Sequence, residues 1–80
     1  MLKVIYKYDL QAMEVQYVDL PVGAKLLCVQ VQHERIALWA LVTPQHELEK
    51  RKITMLFTLG RYLGTVQKYG GNLMLHFFAD

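Results

Sequence analysis

Apolar and polar residues alternate with a period of two along most of this chain, the spacing of strands that bury one face. In KVIYKY, Val4, Tyr6 and Tyr8 share one face, while Lys3, Ile5 and Lys7 share the other. MEVQYV repeats the alternation, setting Met13, Val15 and Tyr17 opposite Glu14, Gln16 and Val18. The intervening DLQA is short enough to predict a hairpin between these two runs. DLPVGAK follows with tight-turn chemistry, because Pro21 presets its own φ and Gly23 can take a positive one. LLCVQVQ alternates next, with Leu27, Val29 and Val31 on one side and Gln30 and Gln32 on the other. His33 and Glu34 separate it from RIALWALV, which is apolar on both faces and predicts a central strand covered twice, with Trp39 as its core anchor.

TPQHELEKRK is the longest polar stretch. Thr43 can cap a helical turn with Pro44 in its first position and Glu47 near its N-terminal end, so one turn near 44–51, or an irregular loop, is expected. ITMLFT reads as another strand with LG as a brief connection, and RYLGTVQ and NLMLHFF form a final pair across KYGGN. Gly70 and Gly71 lie between alternating runs, the setting of a hairpin turn that needs positive φ. A phosphate-binding loop would need a helix after them. Gly64, inside YLGTV, predicts a bulge or a close approach by neighbouring backbone. Seven short antiparallel strands with regularly spaced turns predict one all-β domain over 1–80, either a small sandwich or a partly open barrel.

Composition then changes the picture. An 80-residue chain encloses little interior, yet 54% of this one is apolar, including thirteen Leu, five Tyr, three Phe and a Trp. Some of these side chains are expected at an interface, with another copy or with a partner. The residue types that dominate interface hot spots single out Tyr6, Tyr8, Trp39, Tyr62 and Phe78, with Arg35 and Arg61 as polar partners. The single cysteine, Cys28, excludes an internal disulfide framework and is expected as core filler in a reducing compartment. No run is long enough to span a bilayer and none resembles a signal peptide, so a cytoplasmic protein without a membrane partner is expected.

Candidate chemistry is sparse. His33, His46 and His76 share no ligand spacing, and the lone Cys completes no zinc set, so neither metal nor cofactor is expected. His76 alternates with Met74 and Phe78, on the face opposite Leu73, Leu75 and Phe77, and is expected to be partly buried or interfacial. Glu47 and Glu49 stand beside KRK as a solvated cluster, and Asp9 and Asp19 flank turns. The chain contains no serine, which excludes a serine nucleophile, and a non-enzymatic role is expected. A net charge of +2 argues against a nucleic-acid role. Lys3, Lys7, Lys50, Arg51 and Lys52 with Tyr6, Tyr8, Tyr62 and Tyr69 keep a single-stranded nucleic-acid binder as the weaker reading, although the tyrosines mostly fall on the core phase.

The segments VIYKYDLQ, LPVGAKLLCVQVQ, LWALV and YLGTVQKYGGNLMLHFF resemble a family of short proteins of unknown function from phages, prophages and bacteria. Its members open on I-Y-K-Y and continue through L-P-x-G-A-K, V-Q-V-Q and L-W-A-L-V. They close on a hairpin of Y-x-G-T-x-Q, G-G and F-H-x-F. The chain departs from the family before Arg61, where FTLG stands in place of a longer Gly- and Pro-containing loop. The resemblance implies a phage or prophage accessory protein and carries no catalytic residue. Together with the apolar surplus it leads to an expected host-protein partner, such as an antiviral-defence component inhibited in the manner of an anti-CRISPR, and to a homo-oligomer. The other reading is a homo-oligomeric sponge for a small anionic nucleotide signal.

Overall fold

The computed structural model describes residues 1–55, 60–68, 70–71 and 73–80, with backbone alone at Lys68. Seven antiparallel strands run in order as β1 (Val4–Leu10), β2 (Val15–Pro21), β3 (Lys25–Gln32), β4 (Arg35–Val42), β5 (Leu48–Met55), β6 (Arg61–Lys68) and β7 (Leu73–Ala79). They form two sheets, β1-β4-β3 and β2-β5-β7-β6, which face each other as a sandwich and do not close into a barrel. Inward-pointing residues of both sheets make the core, with Leu20, Val29, Leu38, Val42, Ile53 and Phe77 its most completely buried large side chains. Each contributes about 1.5–3 kcal/mol relative to solvent exposure.

Short connections do not here imply pairing. β1 pairs with β4 and β2 with β5, so the expected β1–β2 hairpin is instead an arch that crosses between sheets. Gln16 closes this arch with its side-chain amide, which accepts from the Gln11 N–H at 2.9 Å and donates to the Gln11 carbonyl at 2.7 Å. True hairpins join β3 to β4 and β6 to β7. The first turns on His33 and Glu34, with φ of 51° and 65°, the two-residue geometry that matches strand twist. The second contains Gly70 and Gly71 at 64° and 89°, so the glycine pair turns the chain as its sequence setting predicts.

The polar 44–51 stretch holds no helix. The Thr43 carbonyl accepts from the His46 N–H at 3.0 Å in a β-turn, and β5 begins at Leu48. The charged run continues the parity of Ile53: Glu49 and Arg51 lie half-buried on the inner side, and Lys50 and Lys52 lie outside. The expected ITMLFT strand is therefore the end of β5, and its residues beyond Met55 lie outside the described ones.

Two bulges close one corner of the sandwich. Leu27 is the extra residue of β3 and Leu63 that of β6, and bulges bend a strand and increase its twist. The β3 bulge resets the phase, so Leu26 and Val29 both point inward, while Leu27 and Val31 are exposed. At the same corner Gly64 lies against the Val29 backbone, where an added Cβ would stand 2.5 Å from the carbonyl oxygen. The Arg61 guanidinium donates to the Leu26 carbonyl, and Arg51 Nη1 donates to that of Ala24 at 3.0 Å.

A candidate protein-interaction face

β4 is central, but only its inner face is covered by the other sheet. Ile36, Leu38, Ala40 and Val42 are buried in the core, whereas Trp39 points outward and is half-buried. Trp39 is therefore no core anchor; a two-layer sandwich gives the second face of a central strand nothing to pack on. Its cross-strand neighbours are Lys7, whose Nζ stands 6.0 Å from the ring centroid, and Cys28. Cys28 is likewise half-buried on this outer face and not core filler. Lys7 Nζ also donates to Gln32 Oε1 at 2.7 Å.

The outer face of the four-stranded sheet is different in character. Leu20, fully buried, fixes the parity of β2, and that parity places Gln16 and Val18 inward and Val15 and Tyr17 outward. The registers then line up Val15, Thr54, Phe78 and Tyr62 in one row across all four strands. Tyr62 meets Phe78 edge-on, with ring centroids 5.6 Å apart, a geometry favourable to aromatic pairs. Tyr17 is 61% exposed, Tyr62 55% and Met74 43%, and Met13, just before β2, is exposed as well. Among the described residues β5 and β7 share the pairs Ile53–Ala79, Thr54–Phe78 and Met55–Phe77, so this row crosses the joint between two ribbons, β2–β5 and β6–β7.

Polar groups punctuate the face. Thr54 lies buried in the middle of the row, and its Oγ1 has no hydrogen-bond partner among the described residues. Thr65 Oγ1 links the Tyr62 hydroxyl to His76 Nδ1, the latter at 2.7 Å. That chain orients the Tyr62 ring and places His76 on this face, exposed, beside Met74 and Phe78 as its alternation predicts. Lys52 stands opposite Tyr17, and Lys50 Nζ bridges Asp19 at 3.1 Å in an exposed pair of little energetic weight.

The seven residues singled out by type do not converge. Tyr62 and Phe78 sit together on this face. Tyr6 and Tyr8 lie on the inner parity of the edge strand β1, with ring centroids 6.5 Å apart. Burial first, and then the neighbouring Tyr6, hold the Tyr8 phenol above its ordinary pKa. Trp39 and Arg35 belong to β4, where Arg35 makes a loose exposed pair with Asp9 at 3.6 Å beside an open cleft between Asp9–Ala12 and Glu34–Ile36. Arg61 is held at the β3–β6 corner. Val15, Tyr17, Met13 and Met74 were not in that set, and Tyr17 and Tyr62 point away from the core; Tyr69 lies outside the described residues.

Among the described residues no group of three His, Cys, Asp or Glu side chains could hold a metal ion, and no helix is long and apolar enough to cross a membrane. The family model described as Domain of unknown function (DUF7352) matches residues 1–80. The chain belongs to that family. Membership extends over the whole described sandwich, including both faces and the bulged corner. No curated protein and no solved structure shows significant similarity to the chain.

Proposed function

We propose that this member of the DUF7352 family is a non-enzymatic binding protein that engages another protein through the outer face of its four-stranded sheet. The observation that carries the reading is the row Val15–Thr54–Phe78–Tyr62, flanked by exposed Tyr17, Met13 and Met74. Exposed tyrosine and methionine around a half-buried phenylalanine match the composition of interface centres. Lys52 at the rim favours an acidic rim on the partner. The resemblance to phage and prophage proteins supports a host protein as the partner, with a component of antiviral defence the leading class, and inhibition by occupancy as the mode of action.

The test is affinity capture from host cells with the parent chain, a Tyr17→Glu/Tyr62→Glu variant and a Lys25→Glu control on the other sheet. One partner retained by parent and control, lost by the face variant, and reconstituted from purified components supports the reading. Retention by all three sinks it. A second reading has one observation in its favour: Lys7, Lys25 and Arg35 accompany Trp39 on the outer side of the three-stranded sheet. A single-stranded nucleic acid bound there would lose affinity steeply with salt and on Trp39→Ala. Absence of binding to oligonucleotides at low salt disposes of it.

A further inference from the structure

A sandwich of two open sheets has four edge strands, and this one protects them unequally. β3 and β6 cover each other at the bulged corner, where Gly64 rests on Val29 and Arg61 takes the Leu26 carbonyl. β2 ends in Pro21, which offers no N–H. β1 runs for seven residues without proline, glycine or bulge, and among the described residues it is paired to β4 alone. Its other side presents a row of unpaired backbone groups, the template on which another strand adds.

We propose that β1 is the dimerisation edge of this protein: two copies pair β1 against β1, antiparallel about a twofold axis at Tyr6, and join their three-stranded sheets into one of six strands. Charge selects both the occupant and the register. In a twofold antiparallel pair, opposed residues share a face, so the axis passes through a residue and pairs its flanking positions reciprocally. An axis at Lys7 sets two lysines against each other, and an axis at Ile5 sets Lys3 against Lys7. An axis at Tyr8 sets Lys7 against Asp9, but Lys7 is already committed to Gln32, and it sets Ile5 against Gln11, whose backbone is held in the arch by Gln16.

The axis at Tyr6, with the pairing continued through the two residues that precede β1, sets Lys3 against the partner's Asp9, twice by symmetry. Lys3 has no ionic partner among the described residues, and Asp9 is more than half exposed with only the loose Arg35 contact. The same register sets Leu2, 71% exposed, against Leu10, and Val4 against Tyr8. It also brings together the two Tyr6 rings, each 47% exposed although they lie on the inward parity. The outer face of the four-stranded sheet takes no part, so this inference stands apart from the binding function.

Solution mass by light scattering, with far-ultraviolet circular dichroism confirming folding, tests it. The parent is expected to dimerise, and Lys3→Glu or Asp9→Lys to weaken the dimer about tenfold by placing like charges together twice. The combined Lys3→Glu/Asp9→Lys protein is expected to recover most of the loss. In a Cys28→Ala background, Tyr6→Cys should form a disulfide across the axis, since opposed Cα atoms at 4.5–5.5 Å suit that bond, whereas Tyr8→Cys should not. A parent that stays monomeric at the highest soluble concentration overturns the proposal. So does a dimer in which the charge exchange brings no recovery or Tyr6→Cys fails to cross-link. Tyr17→Glu/Tyr62→Glu should leave the mass unchanged, which separates a failure here from a failure of the partner-binding reading.

Discussion

Gly64→Ala is the sharpest perturbation the sandwich offers. A Cβ at this position would stand 2.5 Å from the Val29 carbonyl oxygen and 3.2 Å from its nitrogen. Ordinary contact begins near 3.4 Å, so β3 and β6 must part by roughly 0.9 Å at the corner where the bulges bring them together. Backbone is on the receiving side, so no side-chain rotation relieves the overlap. Overpacking of this kind costs about 1–3 kcal/mol, and parting the strands also loosens the charge-assisted bond from Arg61 to Leu26. The upper end, about 3 kcal/mol, is expected. A domain of this size has a total stability of roughly 4–12 kcal/mol, so the variant should melt about 12–24 °C below the parent. Urea titration followed by circular dichroism measures the change. Gly70→Ala is the control, because Gly70 has positive φ and nothing within 4 Å; it should lose only about 1 kcal/mol from backbone strain. If Gly64→Ala unfolds within about 0.5 kcal/mol of the parent, the close-packed corner is refuted.

Other sites give independent tests. His33→Asn with Glu34→Gly supplies the residues that a turn with two positive φ values favours, and should raise stability by about 1 kcal/mol in the same titration; no gain would contradict the turn geometry. Thr54→Val removes a buried hydroxyl that has no partner among the described residues, at nearly constant volume, and should stabilise by about 1 kcal/mol, whereas a loss would mean that the hydroxyl is satisfied. The Tyr8 phenol titrates above its ordinary value in the folded state, so the folded chain holds this proton more tightly than the unfolded one. Its contribution is complete below pH about 10 and fades as pH rises through the folded pKa. Tyr8→Phe should therefore flatten the alkaline fall in the urea midpoint, and an equally steep fall in that variant would show that the shift does not contribute.

Much of the architecture was legible because period two, turn glycines and apolar runs are local signals. Gly70 and Gly71 announced the last hairpin, and Gly64 a bulge or a close approach, both of which occur there. Partner choice between strands was not local. DLQA reads equally well as a hairpin or an arch, because the arch is held by the Gln16 side chain and not by a residue with special φ. Parity failed where both faces of a strand carry apolar residues. In β2 the pair Val15 and Tyr17 competes with Val18 and Leu20, and only the depth of Leu20 in the core decides between them. That one ambiguity concealed half of the exposed aromatic face. The β3 bulge hid another phase change, since one extra residue reverses every position before it. EKRK looked like loop because long charged side chains can occupy inward positions while keeping their heads at the margin of the sandwich, as Arg51 does at Ala24.

The apolar row across the four-stranded sheet is tested most directly by oxidative footprinting of the methionines with and without the purified partner. Met13 and Met74 flank the row at 48% and 43% exposure, and Met1, at 86%, lies on the N-terminal approach to the other sheet. Partner binding should slow sulfoxide formation at Met13 and Met74 and leave Met1 unchanged. Unaltered oxidation of Met13 and Met74 in a saturated complex would place the partner elsewhere and contradict the account.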